Sequence, residues 1–439
     1  MRPLPADFPL GARLAVLPRL YYRLKAIAFR GGDKEMAEQG LLEGLRVIDC
    51  GTYVAGPAAA TVMSDFGAEV IKIERPGGGD LWRLFSKLPG VAKAELDWCS
   101  VLTSRNKKSV AIDLGRSEGR EALIRLARSA DVFVTNYQRT LLEKFRLAFD
   151  DLAAVNDRLI YAHLTGYGDA GEDADDPAFD ALAYWARSGL MTGVAGADGS
   201  PGSPRPGIGD HPTSMSLFGA IMLGLYRRER TGKGSRVTTS LMASGAWANA
   251  CDIQARLLNA VFPQRTAGKH PPNPLTAVYL SSDARMFLLV QIDPDNEFPR
   301  LCRVFGQPEL ATSELFATNA ARAENAGALY AILQSQFETR DLAEWRAVFK
   351  ANDIKWAPLP RLDEVVEDEQ MRASGAIMKL DYPGVGAIET VNSPVFVSGS
   401  VKRPPSAAPE IGADTAEVLR GLGYGATEIS KISGGMCEG

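Results

Sequence analysis

Leu45-Arg-Val-Ile-Asp49, Gly51-Thr-Tyr-Val-Ala-Gly56-Pro57 and Glu69-Val-Ile-Lys-Ile73 follow one another closely, and their reading decides the fold. The first is a short apolar strand and the second a glycine-bounded turn. Pro57 suits the first turn of a helix, because its missing N–H is one of the donors a helix start leaves unused. That helix runs to about Phe66, and Glu69–Ile73 is the next strand. The pattern then repeats. Ser109-Val-Ala-Ile-Asp113 is a strand, Ser117 can cap a helix through Arg128, and Asp131-Val-Phe-Val-Thr135 is a strand. A helix near Phe149–Val155 leads to the strand Leu159-Ile-Tyr-Ala-His163. Strands that alternate with helices imply βαβ units and a mostly parallel sheet, an α/β fold.

Farther along, two apolar helical stretches are expected at roughly Thr213–Arg230 and Leu241–Leu258, with Thr231-Gly-Lys-Gly-Ser235 as a turn between them. Pro263–Pro274, rich in proline and basic residues, marks a boundary. Beyond it a hairpin at Ala277–Gln291 and helices, one opened by Asp341, suggest a smaller α+β domain. The tail, with a turn at Tyr382-Pro-Gly384 and a helix at Ala413–Leu422, can return to the first domain. The expected division is an N-terminal extension over 1–42, a large domain over 43–260, a small domain with linkers over 261–375, and a returning segment over 376–439. Within the extension, Leu14–Phe29 mixes apolar residues with Arg19, Arg23 and Lys25 at helical spacing. It reads as a basic amphipathic helix, packed on its own body or laid on a membrane surface or partner.

Composition narrows the function. A chain of 439 residues with 46 % apolar and 23 % charged residues is an ordinary globular protein of two or three domains. A net charge of −4 gives no electrostatic footprint for nucleic acid. The five cysteines are scattered, odd in number and without metal or redox spacing, which fits a reducing compartment, and a cytoplasmic protein is expected. With three histidines, a multi-histidine metal site is not expected. No apolar run is long enough for a membrane span, and no secretory leader is evident.

Four segments could carry chemistry. The turn Gly51–Pro57 resembles a phosphate-binding turn but lacks dinucleotide spacing, so a nicotinamide cofactor is not indicated; its glycines can also be purely structural. Arg75 stands at the carboxyl end of a parallel strand, where it can clamp a phosphate or stack on an adenine, or simply be solvated. Arg105-Asn-Lys-Lys108 is a basic cluster that reads as solvated surface unless a phosphorylated ligand is expected. In Gly207-Ile-Gly-Asp-His-Pro-Thr-Ser214, Asp210 can be an N-cap with Pro212 in the first helical turn. The cap is the plainer reading of the residues alone; the other is an acid to which glycines give a ligand and backbone amides close access.

Together these segments resemble the class III CoA-transferases, a family that includes formyl-CoA:oxalate, carnitine and 2-hydroxyacyl-CoA transferases and the 2-methylacyl-CoA racemases. The resemblance is collinear from about residue 42 to the C-terminus. It rests on Leu42–Asp49, Ala55-Gly-Pro57, Gly67–Asp80, Asn106–Val110, Ala130–Asn136, Asn156–Tyr161, Gly207–Asp210, Arg230–Gly234 and Trp356–Leu359. It implies a Rossmann-like large domain with a parallel sheet, a smaller α+β domain, and an interlocked, ring-like homodimer. The resemblance puts the catalytic carboxylate at Asp210. CoA contacts fall on Val54, Arg75, Ile112, Asn136, Tyr137 and Lys144, the last where relatives carry Arg. An acyl pocket falls on Tyr53, Phe179, Asp180 and Gly209. Acyl-CoA and carboxylic acid are then the substrates, with no permanently bound cofactor and no metal.

Two departures bear on the acid. Some oxalate-type members carry Gln where this chain has Val54, and a glycine run where this chain reads Ala267-Gly-Lys-His-Pro-Pro-Asn273. The acceptor expected is therefore larger than oxalate: a 2-hydroxy, branched or aromatic acid. The rival on the same scaffold is a 2-methylacyl-CoA racemase, whose α-proton chemistry needs a His/Asp pair. Racemases resemble Gly-His-Asp-Ile-Asn-Tyr at a point where this chain reads Ala178-Phe-Asp-Ala-Leu-Ala183. The non-enzymatic rival is a CoA-binding module that has lost its chemistry.

Overall fold

Residues 40–196, 200–262 and 270–437 are described in a computed structural model. The extension helix expected at Leu14–Phe29 and the loop around Gly268 lie outside the described residues.

The large domain is built on strands β1 (Arg46–Cys50), β2 (Glu69–Glu74), β3 (Lys107–Ala111), β4 (Val132–Thr135), β5 (Ile160–Thr165) and β6 (Ser235–Ser240). They form one parallel sheet in the order β3-β2-β1-β4-β5-β6. The strands read as continuous apolar runs because both faces are covered. Ile48, Ile71 and Phe133 turn to one face, under helices α2 (Ser117–Ala127), α11 (Thr415–Gly421) and α12 (Ala426–Ile432). Their neighbours Val47, Val70 and Val132 turn to the other, under α1 (Ala55–Asp65) and α5 (Asp210–Thr231). Each such side chain, wholly buried, contributes roughly 1.5–3 kcal/mol.

Shorter helices α3 (Arg139–Phe145) and α4 (Phe149–Ala153) link β4 to β5. The turn expected between two helices after Thr231 instead leads into β6, a sheet edge. Ser235-Arg-Val-Thr-Thr-Ser240 is polar because one of its faces is left largely exposed, and its strand signal is its β-branched run. The apolar stretch after it is two helices, α6 (Leu241–Ala248) and α7 (Ala250–Leu257), broken at Asn249.

A separate antiparallel sheet, β7 (Thr276–Leu280), β8 (Met286–Val290) and β9 (Trp356–Pro358), belongs to the small domain. It packs with α8 (Pro294–Val304), α9 (Ala326–Phe337) and α10 (Leu342–Ala351) around Tyr279, Phe287, Phe337, Trp345 and Phe349. Asp341 opens α10 as a capping box: its carboxylate accepts the Glu344 N–H at 2.8 Å, and Glu344 accepts the Asp341 N–H at 3.1 Å.

After a hairpin of β10 (Ile377–Tyr382) and β11 (Gly386–Val391), the tail runs along β3. The free N–H groups of that edge are satisfied there: Ser109 donates to Asp414 Oδ2 at 2.8 Å and Ala111 to Thr415 Oγ1 at 2.9 Å. An edge that would otherwise invite another chain is thereby covered.

Candidate active site

The strand order reverses between β1 and β4, and in open α/β sheets the crevice at such a point, beyond the carboxyl ends of the strands, is where ligands bind. A cavity of about 910 Å³ lies there. The turn after β1 and the segment after β4 are clasped across it by Asn136. Its amide oxygen accepts the Thr52 N–H and its amide nitrogen donates to the Thr52 carbonyl, both at 2.9 Å.

The turn itself sits on buried charge. Lys72 Nζ, on β2, lies 2.8 Å from Asp80 Oδ2 and 3.8 Å from Asp49 Oδ2, and donates to the Gly51 carbonyl at 2.8 Å. Lys107 pairs with Asp49 at 2.8 Å. Burial alone would neutralise these groups. It does lower Lys107, to about 8, but Asp49, Asp80 and Glu74 raise Lys72 despite its burial. Likewise burial pushes Asp49 up, and Lys107 and Lys72 more than offset it. Tyr53 adopts φ +60°, a conformation that costs a residue with a Cβ roughly 1–2 kcal/mol. Its N–H donates to Asp80 Oδ1 at 3.0 Å.

Asp210 reaches the cavity from the first residue of α5. It is not a cap: Gly209 holds the N-cap position and no side chain caps the helix. Gly209 is required for a reason other than ligand access. A Cβ there would meet the Tyr184 ring at 2.5 Å. Beside Asp210 lies Asp180, 6 % exposed, at the start of a π-helical segment Asp180–Ala186. Asp180 Oδ2 accepts the Gly209 N–H at 2.9 Å. Burial raises the Asp180 pKa, and the N–H groups of Gly209, Asp210 and Gly207 partly counter it. Burial and then the charge of Asp180 push Asp210 up to about 7. An aspartate at its ordinary pKa would be fully ionised at neutral pH; this one holds its proton to much higher pH.

Of the residues that the sequence singled out, Tyr53, Val54, Arg75, Asn136, Tyr137, Phe179, Asp180 and Asp210 line this one cavity, and Gly209 supports it from behind. Tyr53 and Phe179 meet edge to face at 5.7 Å. Two are elsewhere. Ile112 is 2 % exposed, with its side chain in the sheet core and its N–H donated to Glu74 O. Lys144 lines a second cavity of about 650 Å³ with Arg120, Arg125, Arg128 and Arg146. The two cavities share α3, which gives Leu141 to the first and Lys144, one turn on, to the second.

In the cluster Arg105–Lys108 the first three residues are buried and only Lys108 is partly exposed. Arg105 grips Asp65 with two hydrogen bonds, and Lys108 bridges Glu69 and Glu417. Sequence reasoning missed Lys72, Asp80 and the wall of Trp82 and Phe85, whose rings stack at 4.6 Å. The signal for the first was present, because a lysine inside the apolar strand Ile71-Lys-Ile73 demands a buried partner. Among the described residues no group of His, Cys, Asp and Glu could hold a metal ion, and no helix is long and apolar enough to cross a membrane.

Comparison with known proteins gives this cavity its context. The sequence profile of CoA-transferase family III matches residues 42–415. The (R)-2-hydroxy-4-methylpentanoate CoA-transferase of Clostridioides difficile is 29 % identical over 89 % of this chain and 98 % of its own. The cinnamoyl-CoA:phenyllactate CoA-transferase of Clostridium sporogenes is 31 % identical over 89 % and 96 %, and the mouse succinyl-CoA:glutarate CoA-transferase 32 % over 91 % and 89 %. A crystal structure of a CAIB/BAIF family protein from Brucella suis superposes with a TM-score of 0.75 at 28 % identity, covering 88 % of this chain and all of the other. The chain belongs to CoA-transferase family III and is an enzyme of that class.

Proposed function

We propose that this enzyme moves CoA from an acyl-CoA donor to a carboxylic acid through the carboxylate of Asp210. The observation that carries the reading is the meeting of Asp210, half-buried beside Asp180, with the strand-end residues Arg75 and Asn136 in one cavity at the sheet's switch point. A carboxylate oxygen of Asp210 attacks the thioester carbonyl carbon, the C–S bond breaks, and a mixed anhydride and CoA thiolate result. The thiolate attacks the aspartyl carbon of the anhydride, releasing the donor acid and leaving an aspartyl-CoA thioester. The acceptor carboxylate repeats these steps in reverse, so Asp210 is regenerated and no net proton or electron is required.

Carboxylates are weak nucleophiles, so positioning supplies much of the rate, up to roughly 7–11 kcal/mol in the best cases. The anhydride must also be kept from water. The walls of Tyr53, Phe179, Trp82 and Phe85 are suited to that, and they favour an acceptor larger and more apolar than oxalate. Relatives named for 2-hydroxy-4-methylpentanoate and phenyllactate support a branched or aromatic 2-hydroxy acid. Among the described residues, Arg75 is the one cation lining the main cavity, whereas CoA carries several phosphate charges. The cations around Lys144, next along α3, are the natural partners of that end of the molecule. The working form is an interlocked homodimer in the cytoplasm.

The test is chemical trapping. Wild type incubated with donor thioester should carry an acyl or CoA adduct on the peptide containing Gly209 and Asp210, which hydroxylamine converts to an aspartyl hydroxamate. Asp210→Asn should fold, carry no adduct and transfer nothing. Exchange at the wild-type rate by the folded Asn variant would remove Asp210 from the chemistry.

A further inference from the structure

We propose that Asp80 is a positioning residue, which holds Tyr53 in its left-handed conformation and so sets the start of α1 and the Tyr53–Phe179 wall beside Asp180 and Asp210. The proposal rests on the transfer reading for its catalytic consequence, but its structural content stands on the turn itself.

Residues with a Cβ occupy positive φ only when their surroundings over-determine them, and such residues gather at functional sites. The backbone N–H groups of Gly51, Thr52 and Tyr53 each have their own partner. The Gly51 N–H donates to Asp49 Oδ1 at 3.2 Å, and the Gly51 carbonyl accepts from Lys72 at 2.8 Å. Both backbone groups of Thr52 are taken by Asn136. The Tyr53 N–H is left to Asp80. Asp80 is in turn fixed on two sides, by Lys72 at 2.8 Å and by the Trp82 N–H at 3.0 Å, and is 6 % exposed.

The chain of support therefore runs from Lys72 on β2 through Asp80 to Tyr53, and Val54 and Ala55 of the cavity wall follow directly. On the other side the Tyr53 ring meets Phe179, whose neighbour is Asp180. Release of one hydrogen bond at Tyr53 would free its backbone to return to negative φ, carrying the ring and the first residues of α1 away from the carboxylates. Arg75, the cation of the cavity, and Asn136, which is held by Thr52, have no bond to Asp80, so turnover should suffer more than CoA binding.

The experiment compares Asp80→Ala, which removes the acceptor, with Asp80→Asn, which keeps an oxygen for the Tyr53 N–H. In the crystal structure of Asp80→Ala, Tyr53 should show negative φ and have left Phe179. Its kcat for CoA exchange should fall about 100-fold, the scale of a misplacement of about 1 Å. KM for the acyl-CoA should stay within about threefold, and Asp80→Asn should recover kcat to within about tenfold of wild type. Tyr53 still left-handed in Asp80→Ala, or Ala and Asn variants equally impaired, overturns the proposal. If Asp80→Ala does not fold, amide hydrogen exchange of wild type decides: the Tyr53 amide should be protected like those of β1, and exchange at the rate of a free peptide overturns the proposal. The crystallographic and exchange measurements need no substrate. A wild type that moved no CoA would therefore sink the transfer reading separately, while they judged the hold of Asp80 on Tyr53.

Discussion

Asp210 carries two demands that oppose each other. A nucleophile has to be charged, yet the half-buried site beside Asp180 disfavours charge and raises its pKa to about 7. For the free enzyme, kcat/KM should therefore rise with pH and level off above about 7, since only the carboxylate attacks. A flat profile from pH 5 to about 8 would contradict this assignment. The same shift acts on stability. An ordinary aspartate releases its proton near 3.8, whereas the folded protein holds this one until about 7. Below 3.8 both states are neutral and nothing is lost; between 3.8 and about 7 the folded state is penalised progressively, and above 7 the penalty is complete. Asp210→Asn removes that penalty, so at pH 8 the variant should be more stable than wild type by about 1–4 kcal/mol, with the gain vanishing near pH 4. Chemical denaturation at the two pH values checks both sign and window. The sequence could point to Asp210 through its glycine-flanked setting and the collinear resemblance. It could not show that Asp180 lies against it, because 29 intervening positions hide a contact made through the backbone N–H groups around Gly209.

At the level of elements, the glycine before the acid is a packing residue. Gly209 lets the backbone at the start of α5 lie against the Tyr184 ring, where a Cβ would stand 2.5 Å from Cγ. Its N–H also fixes Asp180. Gly209→Ala must push apart α5 and the π-helical segment, so it should cost about 1–3 kcal/mol, the usual range for overpacking. Turnover should fall with it, because the same movement separates Asp210 from Asp180. A variant with both melting temperature and rate unchanged would show that the contact is slack. Elements were legible where one physical signal dominated. The strands β1, β2, β4 and β5 announced themselves as apolar runs because they are covered on both faces. The box at Asp341 was legible because a cap is a local arrangement. By contrast β6 was lost in a polar, glycine-rich stretch, since an edge strand needs no apolar run. The basic run at 105–108 misled because charge in a sequence does not say whether a partner is buried with it; Asp65 and Asp49, the buried partners of Arg105 and Lys107, are distant in the chain.

For the whole molecule, the order of the sheet explains why the cavity lies where it does, while its surface bears on the working form. Helices α5, α6 and α7 leave apolar groups in water: Leu223 and Tyr226, one turn apart on α5, are 71 % and 61 % exposed. Trp247 on α6 is 83 % exposed and Leu257 on α7 is 71 % exposed. Single exposed apolar residues are ordinary, but several on consecutive helices are what a covering partner would bury. The large domain's own core does not use them, since α5 turns Leu217, Ile221 and Leu225 inward instead. A second copy of the chain is the occupant that the proposed interlocked dimer calls for. Light scattering should then return about twice the 47.2 kDa chain mass at every working concentration. Dilution to nanomolar levels should leave activity per chain unchanged, because threaded rings cannot part without unfolding a segment. A charge placed in the face tests the surface directly. Trp247→Glu combined with Leu223→Glu should lower the melting temperature and yield monomer or aggregate, whereas a single change at the equally exposed Val401 (69 %), remote in sequence from these helices, should do neither. If the double variant remained a fully active dimer, the copies would have to meet through another face. If wild type were a stable, active monomer, the interlocked assembly would be wrong while the chemistry at Asp210 stood.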